Sequence, residues 1–192
     1  MLKIAISGNI ASGKSAVQNI LEKLGYSVAD TDFIAENLRH KCRDEIVRLF
    51  EEFNITNENG QISKEKLAKI IFNDKKQKEK LEKFIHPKIR EEIFHFFKAH
   101  SDEKFVFVGI PLLFEAGMEK DYDKIIFVHT DDKIRLERLI KRNGYTKEYA
   151  QKRINSQQPQ EEKEQKSDFI INNNGSIEKL RPQILEILSK LS

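Results

Sequence analysis

The chain has 192 residues, 39% of them hydrophobic, enough for one substantial core but short for two independent domains joined by a linker. Its 34 lysines and arginines stand against 31 acidic residues, so the net charge of +3 lacks the one-sided field of a nucleic-acid or membrane-surface protein. Cys42 is the sole cysteine, which excludes an internal disulfide and a cysteine-built metal cage and points to a reducing compartment. The apolar run at the amino terminus is too short for a signal-peptide core, and no stretch reaches the roughly 20 residues of a bilayer span, so a soluble cytoplasmic protein is expected.

Residues 2–7 contain Ile4, Ala5 and Ile6 without polar alternation, the pattern of a strand buried on both faces of a parallel sheet. A glycine loop follows, and from Lys14 onward Val17, Ile20, Leu21 and Leu24 recur at helical spacing, with Gly25 placed for a left-handed cap. A short strand over 27–29 leads into Asp30-Thr31-Asp32, and 33–53 reads mainly as helix. The stretch 57–60 is a turn, 63–72 and 75–85 are helical, and Pro87 suits the first position of a new helix running to about residue 98.

The β-branched and aromatic runs 105–108, 124–128 and 168–171 read as strands. Residues 132–143 and 147–158 read as two very polar helices joined at Gly144, poor candidates for burial and suited to a mobile lid. For the Gln, Glu and Lys-rich segment 157–167, a solvated connector and a functional role are both open. An amphipathic helix over 177–191 closes the chain. Alternating strands and helices predict a parallel sheet covered on both faces.

Gly8-Asn9-Ile10-Ala11-Ser12-Gly13-Lys14-Ser15 matches G-x-x-x-x-G-K-S/T in full, between a predicted strand and a predicted helix. In such a loop the backbone N–H groups and the helix N-terminus meet the phosphate charge, the lysine reaches the β and γ oxygens, and the serine hydroxyl serves Mg²⁺. ATP with Mg²⁺ is therefore the expected co-substrate, with Ser15 as the one protein ligand of the metal.

A P-loop leaves the acceptor open. Asp30 and Asp32 fall where the second strand ends, the edge at which ligands bind in open parallel sheets, and two residues apart on a strand they point to one side. Either can take a proton from an attacking hydroxyl, although Asp32 is equally placed as a helix N-cap before Phe33. Arg135, Arg138 and Arg142 share one helix face and Arg153 lies in the next helix; they can surround a migrating phosphoryl group or form a solvated basic face. His86, beside Pro87, reads as a structural hydrogen-bonding residue or as a ligand, and Arg90 falls on the first turn of the helix predicted there. The remaining histidines show no metal-ligand spacing.

Taken in order, these residues resemble the dephospho-CoA kinase family of P-loop proteins nearly end to end. The resemblance rests on Gly8 to Ser15, Asp30-Thr31-Asp32 with Ile34-Ala35, His86-Pro87 with Ile89-Arg90, Pro111-Leu112-Leu113-Phe114-Glu115, Arg138 and Arg142, Arg153 with Gln157, and the run from Asp168 to Gly175. It implies an α/β P-loop NTPase fold of three layers (α/β/α) with a parallel sheet. The implied parts are a core over about 1–32, 101–131 and 168–192, a helical acceptor subdomain over about 33–100, and a small helical lid over about 132–167.

It also implies transfer of the γ-phosphate of ATP to the 3′-hydroxyl of dephospho-CoA. In that reading Asp32 is the general base, Lys14 and Arg138 steady the phosphoryl group, and Gly8, Ala11, Ser12, Gly13, Ser15, Ala16, Arg142, Asn174 and Gly175 hold ATP. Asp30, Asp32, His86, Arg90, Pro111, Leu112, Leu113 and Glu115 border the acceptor. The chain departs from the family pattern at Asn9 and Ala11, where glycine is common, and at Ser167. Ala11 is expected to take a negative φ, since its Cβ makes the left-handed region costly.

Another P-loop kinase of a nucleotide or small metabolite shares this equipment and is the alternative. A GTP-binding switch lacks its Asn-Lys-x-Asp signature here, and an ATPase motor lacks the acidic residue directly after a hydrophobic strand. A nucleic-acid module lacks an aromatic-basic stripe. A monomer or weak homo-oligomer is expected, with no membrane and no nucleic-acid partner.

Overall fold

The computed structural model describes residues 1–191. Five strands, Leu2–Ser7 (β1), Ser27–Asp30 (β2), Phe105–Gly109 (β3), Lys124–His129 (β4) and Phe169–Asn172 (β5), form one sheet in the order β2-β3-β1-β4-β5 with every pair parallel. This is the α/β architecture that the alternation of strands and helices predicts. The strand order reverses around β1, so the loop after β1 opens at the carboxyl edge where such sheets bind ligands.

Period-two alternation divides the buried strand residues between two faces. Ile4, Ile6, Phe107, Ile126, Val128 and Ile171 pack against Val17 and Leu21 of Lys14–Lys23 (α1) and Ile184 and Leu188 of Leu180–Leu191 (α9). Ala5, Val106, Val108 and Phe127 are buried on the other face, where Phe114 meets Phe127 edge-on at 6.4 Å between ring centroids. Each fully buried aliphatic side chain contributes about 1.5–3 kcal/mol, which explains why the polar strand residues Lys3, Ser7, Ser27, Asp30, Lys124, His129 and Asn172 fall at or near the strand ends. The final helix starts at Leu180, after a single 3₁₀ turn over Ile177–Lys179.

The chain divides into two compact units, one comprising Met1–Asp30 and the chain from His100 onward, the other Thr31–Ala99. The second is helical: Thr31–Lys41 (α2), Arg43–Leu49 (α3), Lys64–Asn73 (α4) and Lys75–Ala99 (α5) enclose Leu38, Cys42, Ile46, Phe50, Ile55 and Leu67. The Ser63 hydroxyl accepts the Lys66 N–H and so caps α4. Burial pushes the Cys42 thiol above its ordinary pKa, which keeps it protonated and unreactive.

The largest departures from the helix boundaries read in the sequence lie in this unit, while in the other the helix read over 147–158 ends at Asn155. The expected helix over 33–53 is broken at Cys42 into α2 and α3. Pro87 begins no helix but lies inside the 25-residue α5. Proline there costs about 3 kcal/mol through a lost N–H bond and a crowded carbonyl. Leu81, Phe84 and Ile85 before it and Ile89 after it all join one apolar cluster, and keeping that stripe continuous outweighs the loss.

In the first unit, Asp132–Asn143 (α6) and Lys147–Asn155 (α7) meet at Gly144, whose φ of 65° ends α6 in a left-handed cap. Contrary to the expectation of little burial, Leu139, Ala150 and Ile154 form a small core flanked by Ile10 and Ala11 of the glycine loop. Each helix carries only a few apolar residues, so composition hid a narrow but complete stripe. Gln160–Glu164 (α8) follows, with Gln160 and Lys163 buried, which removes the solvated-connector reading of that segment. Among the described residues no helix is long and apolar enough to cross a membrane.

Candidate active site

The glycine loop leaves β1 at Ser7 and enters α1 at Lys14. A Cβ at Gly8 would stand 2.4 Å from Ser12 Oγ and 2.9 Å from the Val128 carbonyl oxygen, and one at Gly13, where φ is 91°, would stand 2.1 Å from Asn173 Nδ2. Neither position admits a side chain. Ala11 corrects the sequence expectation: its φ is +62°, the only positive value among the described non-glycine residues.

That conformation costs about 1–2 kcal/mol and persists because its neighbours fix it. The Ser12 N–H closes a turn onto the Asn9 carbonyl at 2.9 Å, and Arg138 Nη1 donates to the Ala11 carbonyl at 3.2 Å. The Ser12 carbonyl accepts from Thr130 Oγ1 (2.8 Å), Asn173 Nδ2 (2.7 Å) and Arg138 Nη1 (3.3 Å). The loop's carbonyls thus serve protein donors, while the first N–H groups of α1, which have no intrahelical acceptor, remain for an anion.

Lys14 is 8% exposed, and its Nζ lies 2.7 Å from Asp30 Oδ2 and 2.9 Å from Gln18 Oε1. Gly109, at the end of β3, makes room for this group, since a Cβ there would stand 2.8 Å from Lys14 Nζ and 2.4 Å from Gln18 Nε2. Asp30 is therefore the counter-ion of Lys14 in this structure. Ser15 is exposed in the first turn of α1 and Ala16 is half-buried.

Asp32 is exposed in the first turn of α2, not on a strand, because β2 stops at Asp30. The same-side argument for Asp30 and Asp32 therefore does not hold, and Asp32 stands inside the helix rather than at its N-cap position. His86 is half-buried and Arg90 exposed, both in the interior of α5 rather than at a helix start. In the turn after β3, Leu113 is buried, Leu112 is exposed, Pro111 is half-buried, and Glu115 Oε1 accepts from Lys163 Nζ at 2.6 Å.

The arginines of α6 do not act as one face. Arg135 is 2% exposed, bound to Asp132 at 2.5 Å and to the Ile10 carbonyl at 3.5 Å. Arg138 Nη2 also donates to the Asn173 carbonyl at 2.9 Å, and burial pulls its pKa below the usual arginine value. Arg142 is exposed, with Nε donating to Asn143. Asn174 pairs with Asp131, accepting its N–H and donating to its carboxylate, both at 2.8 Å, and Gly175 lies against the Lys179 side chain.

His129, at the end of β4, sits 2.5 Å from Glu164 Oε1 through Nδ1 and 3.0 Å from Asp131 Oδ1 through Nε2. Burial works to lower its pKa, but the hydrogen bonds and charges of Asp131 and Glu164 prevail and hold the imidazole above its ordinary value. Sequence reasoning missed His129, Gln18, Gly109, Thr130, Asn173 and Lys163 as parts of this assembly. Gly109 closing an apolar strand and the Asn172-Asn173-Asn174-Gly175 run were the available signals; Thr130 and Lys163 offered none.

A phosphate loop on the central strand of a parallel sheet, with a buried lysine at the helix start and arginines bracing the loop, defines a P-loop phosphotransferase. The model of the family described as dephospho-CoA kinase matches residues 2–179. Dephospho-CoA kinase of Listeria innocua is 39% identical over 193 residues, covering 97% of this chain and 96% of the relative. The solved dephospho-CoA kinase from Campylobacter jejuni superposes with a TM-score of 0.76 at 32% identity over 99% of this chain and 96% of its own. A Thermus thermophilus protein superposes with a TM-score of 0.89 at 32% identity, covering 100% and 98%. The chain belongs to the dephospho-CoA kinase family.

Proposed function

We propose that this chain transfers the γ-phosphate of ATP to the 3′-hydroxyl of dephospho-CoA, yielding coenzyme A and ADP. The observation that carries the reading is the loop from Gly8 to Ser15, which turns its carbonyls into the protein and leaves the N-terminus of α1 open beside Lys14, within a chain of this family. Lys14 exchanges Asp30 for phosphate oxygens as ATP enters. Arg138 supports the transfer by holding the Ala11 and Ser12 carbonyls, and Arg142 supplies further positive charge.

Asp32 is assigned the ribose proton, because an acceptor alcohol must be deprotonated as the new bond forms. Asn174 and Gly175 are assigned to adenine, and His86, Arg90 and the Pro111 to Glu115 turn to the acceptor. Mg²⁺ is assigned as the partner of ATP, since a phosphate loop offers a hydroxyl at the helix start to the metal that accompanies the phosphates. The exposed hydroxyl of Ser15 is the donor suited to it. Held at Ser15, the metal would neutralise phosphate charge. A cytoplasmic monomer or weak homo-oligomer without a nucleic-acid partner completes the reading.

The test is to mix purified protein with MgATP and dephospho-CoA and to follow ADP release together with coenzyme A formation. Stoichiometric appearance of both supports the proposal, and turnover confined to a different acceptor alcohol defeats it.

A further inference from the structure

Lys163 is 1% exposed, and its ammonium group touches two carbonyl-type oxygens from distant parts of the chain: Glu115 Oε1 at 2.6 Å and Asn9 Oδ1 at 2.7 Å. A buried ammonium is tolerated only where such acceptors compensate its lost hydration. Glu115 lies in the turn after β3, and Asn9 is the second residue of the phosphate loop.

Asn9 is itself 3% exposed and is held from a second direction, its Nδ2 donating to the Gln158 carbonyl at 3.0 Å. The next residue is held too, since the Ile10 N–H donates to Gln157 Oε1 at 2.7 Å. The segment from Gln157 to Lys163 therefore grips the crest of the loop by three bonds, immediately before the left-handed Ala11. The Asn9 carbonyl also accepts the Ser12 N–H that closes the turn, so the orientation of Asn9 decides where the following amides point.

We propose that Lys163 is a positioning residue for the nucleotide: by tying Asn9 to Glu115 it sets the shape of the loop crest over which the phosphates lie. Both acceptors compensate the buried ammonium, and one of them belongs to the phosphate loop, so the same bond that satisfies Lys163 also fixes Asn9. The bond to Asn9 delivers the same cation to the loop, and α8, which carries Lys163, is further anchored by Gln160 through the Thr130 N–H (3.3 Å) and carbonyl (3.0 Å). The inference rests on the kinase reading above.

The test measures MgATP affinity by calorimetry, separately from melting temperature, for Lys163→Met, Asn9→Ala, the double variant and Lys163→Arg. Each single change is expected to weaken MgATP binding about tenfold. The double variant should lose less than the sum of the two single losses, because both remove the Lys163–Asn9 bond. Lys163→Arg should recover part of the loss.

Lys163→Met with a lowered melting temperature but MgATP affinity within twofold of the unmodified protein overturns the proposal, as do strictly additive losses. Should Lys163→Met fail to fold, Asn9→Ala compared with Asn9→Asp decides, since both lose the donor to Gln158 and only Asp keeps an oxygen for Lys163; equal losses of MgATP affinity in the two overturn the proposal. An unmodified protein that binds no MgATP would instead strike down the kinase reading on which this one depends.

Discussion

Lys14 Nζ rests 2.7 Å from Asp30 Oδ2, with the lysine side chain 9% and the aspartate 28% exposed. Breaking such a pair leaves the better buried charge uncompensated. Screening at the more exposed aspartate limits the cost of Asp30→Asn to about 1 kcal/mol, a melting temperature lower by about 2–4 °C. Saturating MgATP supplies the missing negative charge, so its stabilising shift is expected to be larger in Asp30→Asn than in the unmodified protein. Differential scanning fluorimetry with and without MgATP checks this, and equal shifts would show that phosphate does not take Asp30's place on Lys14.

Asp32→Asn keeps the side chain's size but removes its basicity. In its proposed role as general base for the acceptor hydroxyl, Asp32 would contribute about 10²–10⁴-fold to turnover, and the variant is expected to lose that much kcat. MgATP affinity should stay within about twofold, because the proton in question belongs to the acceptor. Steady-state kinetics alongside calorimetry separates the two. Near-normal turnover would assign Asp32 to nothing more than a favourable acidic residue in the first turn of α2.

The sheet was legible in the sequence because strands buried on both faces must be nearly pure in apolar residues, as β3 is from Phe105 to Gly109 and β1 is from Ile4 to Ile6. The phosphate loop was legible because its glycines answer a steric demand that the Ser12 and Asn173 contacts now make explicit. What stayed hidden depends on long-range packing. Pro87 reads as a boundary by local rules, and only the cluster joining Leu81 to Ile89 carries the helix through it. Lys163 looks like one charge among many in a polar segment until the fold brings Asn9 and Glu115 to it.

Ala11 holds a φ of +62° at which glycine carries no penalty. Ala11→Gly is expected to raise stability by about 1 kcal/mol, or about 2–4 °C in melting temperature. The gain is tempered by the greater freedom of glycine in the unfolded chain and by loss of a methyl group beside Leu139. Gly13→Ala at φ 91° should do the reverse and also abolish MgATP binding, since its Cβ would collide with Asn173 Nδ2. Chemical denaturation of both variants measures the pair, and a destabilised Ala11→Gly would mean that the methyl contact outweighs the backbone strain.

His129 bridges Asp131 and Glu164, whose hydrogen bonds and charges raise its pKa in the folded protein above the ordinary value. A raised folded pKa means that the folded state binds this proton more tightly than the unfolded chain does. The stabilisation is therefore fully present below the unfolded histidine pKa of about 6.5 and is lost as pH rises through the folded value. Asp131 works in the opposite sense: the His129 hydrogen bond, followed by that of Asn174, lowers its pKa, so its contribution is present above about pH 4 and fades in acid. The bridge is strongest between those limits. His129→Gln should accordingly melt lower than the unmodified protein near pH 6, by about 2–4 °C for each kcal/mol lost, and the gap should narrow toward pH 9. Melting curves recorded across that range check the sign, and a gap that widened with pH would show that the imidazole is held neutral.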